Sequence, residues 1–434
     1  MKNELVSGSD IVRRVKATEG SGLRTFRTER PRVWHRTSGA EVWDVDGTRY
    51  LDLDSASAVA TVGHCHPRVT EAIIRQAPLM THAPSGAPSV ARAEFYERLI
   101  GIAPGGLTRV LPAVNGALAN ETAIQLARSY TGRTEVVTFS GTYLGRSIGV
   151  VGKAGKRAYR EQVGVRSDAH FLPYPDPFRS PWAGGADPGE VALGLLEAWI
   201  HDPASGLDQI ACVILEPVQG NGGAVAPTDG FLRGLRELCT KAGIVLIFDE
   251  IQAGFGRTGY AWACDHDGVV PDLMTVGKGI GGGMPVAAVL GGEDILRTWE
   301  PDAVTSTFLV NALNCVAASA AIDVFTDEKL ADRASRLGST ALDQIRAGLK
   351  AHPRVGDVRG RGLLIGIEMV ADLTHLRPDA GIAAEVAASL GKNGVLVGRS
   401  GRHANVIKVC PPLVITETDL AYGVSAVLEA LNRL

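Results

Sequence analysis

The residues with the clearest chemical meaning are Asp249 and Lys278. Asp249 ends the apolar run Val245-Leu246-Ile247-Phe248 and is followed by Glu250. An unbroken apolar run before two acids predicts a buried strand whose charged end emerges at the sheet edge. Lys278 follows a second strand-like run, Leu273-Met274-Thr275-Val276, and stands between Gly277 and Gly279, with Gly281-Gly282-Gly283 beyond. Glycines there permit tight turns and close approach of the backbone to a ligand. Open α/β sheets bind ligands at the carboxyl ends of their strands, so the two runs predict an acid and an amine at one site. A lysine whose pKa is lowered by desolvation forms a Schiff base with an aldehyde. Pyridoxal phosphate (PLP) carries such an aldehyde. An acid beside its ring keeps the pyridine nitrogen protonated, so that the ring draws electrons from a substrate Cα. On these features alone, a strand-terminal acid and a solvated loop lysine explain the pair equally well.

The elements that would position this pair alternate along the chain. Strands are predicted at 109–114, 136–140, 212–216, 245–249, 272–276 and 286–290, with helices between them. That alternation predicts an α/β fold with a mainly parallel central sheet flanked by helices. Asn115-Gly116-Ala117 forms a turn into a helix carrying Ala123, Leu126, Ala127 and Tyr130. Such a helix start offers free N–H groups and a positive dipole end to an anion, although an ordinary βα turn has the same composition. Tyr143, at the end of another strand, is an aromatic able to stack on a planar ring. Glu216 ends a further buried strand, and Gln219, Gly220 and Asn221 follow in its loop.

Residues 1 to about 40 are polar and weakly patterned. Residues 42–51 read as a hairpin about Asp46-Gly47. Residues 171–187 read as a Pro- and Gly-rich loop. After Gly292 comes a long alanine-rich helix, suited to tight packing on the large domain or across a dimer interface. The last hundred or so residues read as a smaller α+β unit. The expected divisions are an N-terminal segment, 1–62; a large domain, 63–312; and a C-terminal small domain, 313–434.

Composition narrows the functional classes. The chain has 434 residues, 45% of them apolar and 21% charged, in the ordinary range for a globular protein. A formal net charge of −3 gives no reason to expect nucleic acid or an anionic membrane as partner. The six cysteines include no CxxC pair and read as reduced thiols of a cytoplasmic protein. No secretory signal or membrane-spanning apolar run is visible. His64, Cys65 and His66 are too close together for a tetrahedral site, so no metal is expected.

Together, ILEPVQG at 214–220, FDEIQAGFGRTG at 248–259 and PDLMTVGKGIGGGMP at 271–285 resemble the class III (ω-type) aminotransferases, which are fold-type I PLP enzymes. The resemblance runs from about Gly39 to the C-terminus. It implies a small α+β domain formed by the N- and C-terminal parts, and a homodimer with shared active sites. It further implies transfer of an amino group between an amine or amino acid and an oxo acid. Lys278 would be the Schiff-base lysine and proton shuttle, Asp249 the partner of the ring nitrogen, and Gln252 that of the ring hydroxyl. Asn115, Gly116 and Ala117 match the phosphate-binding turn, Tyr143 and Ile251 the residues on the two ring faces, and Glu216 and Glu121 acids usual in the pocket. Thr307 matches a threonine that reaches the phosphate of the partner subunit's cofactor.

Departures from the family pattern also carry information. Asn115 stands where the phosphate turn usually begins with Ser, Leu118 where an acid is usual and Leu144 where the aromatic is usually followed by His. Val310-Asn311-Ala312 stands where Gly-Asn-Pro is frequent. Many glutamate-using members carry Glu at the position of Asn221 and Arg at that of Lys408, a pair that switches between two kinds of substrate. Lys lacks the two-pronged carboxylate contact of Arg. Arg399 or Arg402 is a candidate replacement. Racemases, epimerases and amino-phosphate or phosphonate lyases share this scaffold, and Lys408 with Arg402 and His403 suits a phosphate as well as a carboxylate. The intact Asp249 and Lys278 disfavour a purely regulatory role.

Overall fold

The computed structural model describes residues 7–23, 31–182 and 185–434. Three strands come first: β1 (Trp34–Ser38), β2 (Glu41–Asp44) and β3 (Arg49–Leu53). Seven follow: β4 (Arg109–Ala113), β5 (Glu135–Phe139), β6 (His170–Leu172), β7 (Ile210–Leu215), β8 (Val245–Asp249), β9 (Leu273–Val276) and β10 (Ala287–Gly291). The last four are β11 (Val355–Arg361), β12 (Leu364–Met369), β13 (Val395–Ser400) and β14 (Val406–Val409).

The middle group forms one seven-stranded sheet in the order β4-β10-β9-β8-β7-β5-β6. It is parallel except for β10, which runs antiparallel to both neighbours. Every residue of β7, β8 and β9 is buried, as expected for central strands covered by helices on both faces. The second sheet has the order β1-β2-β3-β13-β14-β12-β11. Parallel pairing of β3 with β13 joins the N-terminal strands to the C-terminal ones. The expected small α+β unit built from both ends of the chain is therefore present. The hairpin about Asp46-Gly47 forms as expected, with Val42 opposite Tyr50 and Gly47 at φ +83°.

Several local details differ from the sequence-based expectations. The region before residue 40 contains a capped helix, Gly8–Thr18, and β1. That helix carries a short apolar stripe, Ile11, Val12 and Val15, but buries no residue. Residues 171 and 172, expected in a loop, belong to β6 and pair with β5; Ala183 and Gly184 of the same expected loop lie outside the described residues. The alanine-rich helix, Ala312–Asp327, packs on the large domain, the first of its two expected settings, against the helices Pro67–Gln76 and Val90–Gly101.

Candidate active site

Asp249 is the last residue of β8, and Lys278 lies just beyond β9. These strands are parallel neighbours in register, Asp249 opposite Thr275, so both side chains reach the same carboxyl edge of the sheet. They line one cavity of about 210 Å³ together with Asn115, Gly116, Ala117, Asn120, Tyr143, Leu144, Gly145, Arg146, Glu216, Ile251 and Gln252. Every proposed cofactor-binding residue except Thr307 is among these. Lys278 adopts φ +46°, and its Nζ donates to Gln252 Oε1 at 3.3 Å. Gly279 is needed for close approach: a Cβ there would stand 2.4 Å from Thr61 Oγ1.

Asp249 is 3% exposed, and both its oxygens are engaged. Oδ1 accepts from Ile251 N at 3.0 Å, and Oδ2 from Asn120 Nδ2 at 2.7 Å. Asn120 is held in turn: Nδ2 also donates to Leu144 O at 2.9 Å, and Oδ1 accepts from Thr275 Oγ1 at 2.7 Å. Sequence reasoning missed Asn120. Its one signal is a polar residue at 0% exposure on the buried helix face shared with Ala119 and Ala123.

Burial pushes the Asp249 carboxyl up to about 6, against the hydrogen bonds from Asn120 and Ile251 and the charge of Lys278. Burial likewise depresses the Lys278 ammonium; nearby Lys408 adds to this, while Asp249 and Glu216 oppose it. Glu216 is raised to about 7, first by burial and then by Asp249. Its oxygens accept from Tyr143 N and Gly220 N, each at 2.9 Å, and so tie two loops at the cavity together.

The helix Gly116–Thr131 begins at the cavity, with Asn115 as N-cap accepting from Leu118 N at 3.0 Å. The amides at the start of a helix have no carbonyl partner within it and favour an anion. A Cβ at Gly116 would come within 2.8 Å of Ile251 Cδ1, so only glycine leaves this part of the slot open.

Other sequence candidates lie elsewhere. Glu121 accepts from Ser147 Oγ at 2.6 Å and does not line the cavity. Thr307 is exposed, as is its neighbour Phe308. Asn221 Nδ2 donates to Tyr159 OH at 3.3 Å, and the Tyr159 ring meets Tyr143 edge-on at 5.5 Å. Lys408 pairs with Asp54, Nζ to Oδ1, at 3.0 Å. Arg402 is half-buried with an Nη2 that makes no hydrogen bond, and Arg399 is exposed. His64 and His66 pair with Asp52 and Glu328, and no cluster suited to a metal occurs among the described residues.

This arrangement agrees with the comparisons. The class-III aminotransferase family pattern matches residues 26–431. The acetylornithine aminotransferase of Methanothermobacter thermautotrophicus is 36% identical, over 95% of this chain and 96% of its own. The 4-aminobutyrate aminotransferase GabT of Escherichia coli is 34% identical, over 92% and 93%. The ornithine aminotransferase of Toxoplasma gondii, whose active site holds PLP at partial occupancy, superposes with a TM-score of 0.87 at 30% identity, over 99% of this chain and 95% of its own. The chain belongs to the class III aminotransferases. It is a PLP-dependent, fold-type I enzyme that moves amino groups between amino compounds and oxo acids. The cavity suits that cofactor: it offers an amine for the aldehyde, a buried acid for the ring nitrogen and a helix start for the phosphate.

Proposed function

We propose that Lys278 carries the cofactor and that the enzyme transfers an amino group from an amine or amino acid to a monocarboxylate oxo acid, with 2-oxoglutarate a poor acceptor. The observation that carries this reading is the convergence of Lys278 and Asp249 from adjacent strand ends in one cavity. When bound, PLP supplies an electron-withdrawing ring that acidifies the Cα proton of the substrate. Lys278 moves that proton; burial lowers its pKa and makes the neutral amine available as a base. Asp249 holds the proton of the ring nitrogen, and its contacts with Asn120 and Ile251 keep the carboxylate oriented. Asn115, Gly116 and Ala117 would hold the phosphate, Ile251 and Tyr143 would flank the ring, and Gln252, which accepts from Lys278 Nζ, would also bond the ring hydroxyl. Glu216 fixes the loops carrying Tyr143 and Gly220.

The acceptor preference is supported by the neutral Asn221 and by the pairing of Lys408 with Asp54, which leave Arg402, with its unpaired Nη2, as the remaining candidate partner for a second substrate carboxylate. A homodimer, with Thr307 completing the partner's phosphate site, accords with the exposed Thr307 and Phe308. A cytoplasmic setting accords with six unpaired cysteines. No helix among the described residues is long and apolar enough to cross a membrane.

The test compares pyruvate, 2-oxoglutarate and no acceptor across a panel of amines and amino acids. Pyruvate should exceed 2-oxoglutarate by about tenfold or more in kcat/KM, the size expected for one lost charge-assisted contact. A wide preference for 2-oxoglutarate would refute the acceptor reading. Turnover without any acceptor would move the enzyme to the racemases or lyases.

A further inference from the structure

Lys408 lies on β14 between two glycines, opposite Gly366 on β12 and Gly398 on β13. No side chain on either neighbouring strand flanks it at this level. The gap is filled from another part of the chain: Asp54, just after β3, puts Oδ1 3.0 Å from Lys408 Nζ. Gly398 makes the pairing possible, since a Cβ there would stand 2.2 Å from Asp54 Oδ1 and 2.7 Å from Lys408 Cε. Asp54 Oδ1 is buried and makes no hydrogen bond, so its ion pair with Lys408 is its one polar engagement.

The backbone that presents Asp54 is strained. Ser55, Ala56, Ser57 and Ala58 all have φ between +48° and +66°, a left-handed turn that non-glycine residues rarely adopt. It is held from several sides. Ser55 Oγ donates to Cys410 O at 2.7 Å, Ala56 N to Asp52 Oδ2 at 2.9 Å and Ser57 N to Asp54 Oδ2 at 3.2 Å. Strain fixed so firmly is characteristic of functional sites. The segment also reaches the catalytic lysine, because Thr61 Oγ1 faces Gly279, the residue after Lys278. Lys408 is close enough for its charge to act on Lys278.

We propose that Asp54 is the specificity-determining residue of the acceptor site: it masks Lys408, so that a second carboxylate on the substrate must displace Asp54 before pairing with Lys408. The inference rests on the acceptor reading above and explains it through a residue outside the cofactor cavity. The pair is only 8% and 22% exposed at its side chains, so solvent screens it weakly.

The decisive experiment measures binding rather than turnover. Glutarate and butyrate, which differ by one carboxylate and carry no reactive carbonyl, are titrated calorimetrically into the cofactor-loaded wild type, Asp54→Asn and Lys408→Met. Asparagine keeps the oxygen that caps Ser57 N, and circular dichroism with thermal melting checks that each variant is folded. Asp54→Asn should tighten glutarate by about tenfold, the worth of a freed charge-assisted contact, and leave butyrate within about twofold. Lys408→Met should remove any preference for glutarate. Equal changes for both ligands in Asp54→Asn, a loosening of glutarate, or a preference that survives in Lys408→Met would each overturn the proposal. A failed transaminase assay with this binding pattern intact would refute the reaction reading and leave the masking role of Asp54 standing.

Discussion

Replacing Asp249 with asparagine tests both the charge and the geometry of the site. The carboxylate already accepts from Asn120 Nδ2 at 2.7 Å and Ile251 N at 3.0 Å, one bond to each oxygen. An amide at this position must turn its NH2 toward one of those donors, leaving a buried donor facing a donor. That mismatch costs about 1–3 kcal/mol. The negative charge opposite the ring nitrogen is lost as well. Removing a close opposite charge lowers the pKa of a protonated nitrogen by about 1–3 units, at about 1.4 kcal/mol each. Part of the mismatch acts on stability rather than on turnover, so the catalytic loss is set at about 3–5 kcal/mol, or on the order of 10²–10⁴-fold in kcat/KM. The assay is steady-state transamination at saturating PLP, with cofactor content measured separately so that loss of cofactor is not mistaken for loss of chemistry. Asn120→Ala is the companion variant. It removes one donor but keeps the charge, and should cost only about tenfold. Near wild-type kcat/KM in a fully loaded Asp249→Asn enzyme would remove Asp249 from the mechanism. An equal loss in Asn120→Ala would show that geometry, and not charge, carries the effect.

Lys278→Ala should abolish turnover, and borohydride reduction of the loaded wild type should leave the cofactor attached to Lys278; wild-type turnover in the variant would exclude the lysine. Because burial raises Asp249 to about 6, the apoenzyme carboxyl is ionised above that pH and neutral below it. PLP affinity should therefore stay level as pH falls toward about 6 and then decline, and Asp249→Asn should lack this break. Sedimentation should show a dimer, and mixing Lys278→Ala with Thr307→Ala subunits should restore activity above that of either variant alone, because each Lys278-bearing site would then face an intact Thr307. An active monomer would contradict this arrangement.

The parts of the molecule legible in the sequence are those written in contiguous residues. Val245–Asp249 is a fully buried strand with an acid at its end, and both features follow from its composition and length. The glycines about Lys278 mark a turn because backbone and side chains approach them closely, as Thr61 does Gly279. Asn120 was hidden for the opposite reason. Within a helix an asparagine usually faces solvent, and only tertiary packing brings this one from helix Gly116–Thr131 to Asp249, with Thr275 fixing its other end. Asp54 was hidden twice over. Its partner lies at the far end of the chain, and its left-handed turn, Ser55–Ala58, contains none of the glycines by which such a turn is recognised. The helix Gly8–Thr18 has only a short apolar stripe, Ile11, Val12 and Val15, among polar residues, and buries nothing. The two charged couples that tune this site differ in the same way. Asp249 and Lys278 arrive on adjacent parallel strands, so their meeting follows from fold class alone. Asp54 and Lys408 meet because β3 pairs with β13 and β13 with β14, and because Gly398 leaves room between them. The residues proposed for the reaction are thus encoded locally, at the ends of two adjacent strands, whereas the proposed control of substrate choice depends on the joining of the two ends of the chain.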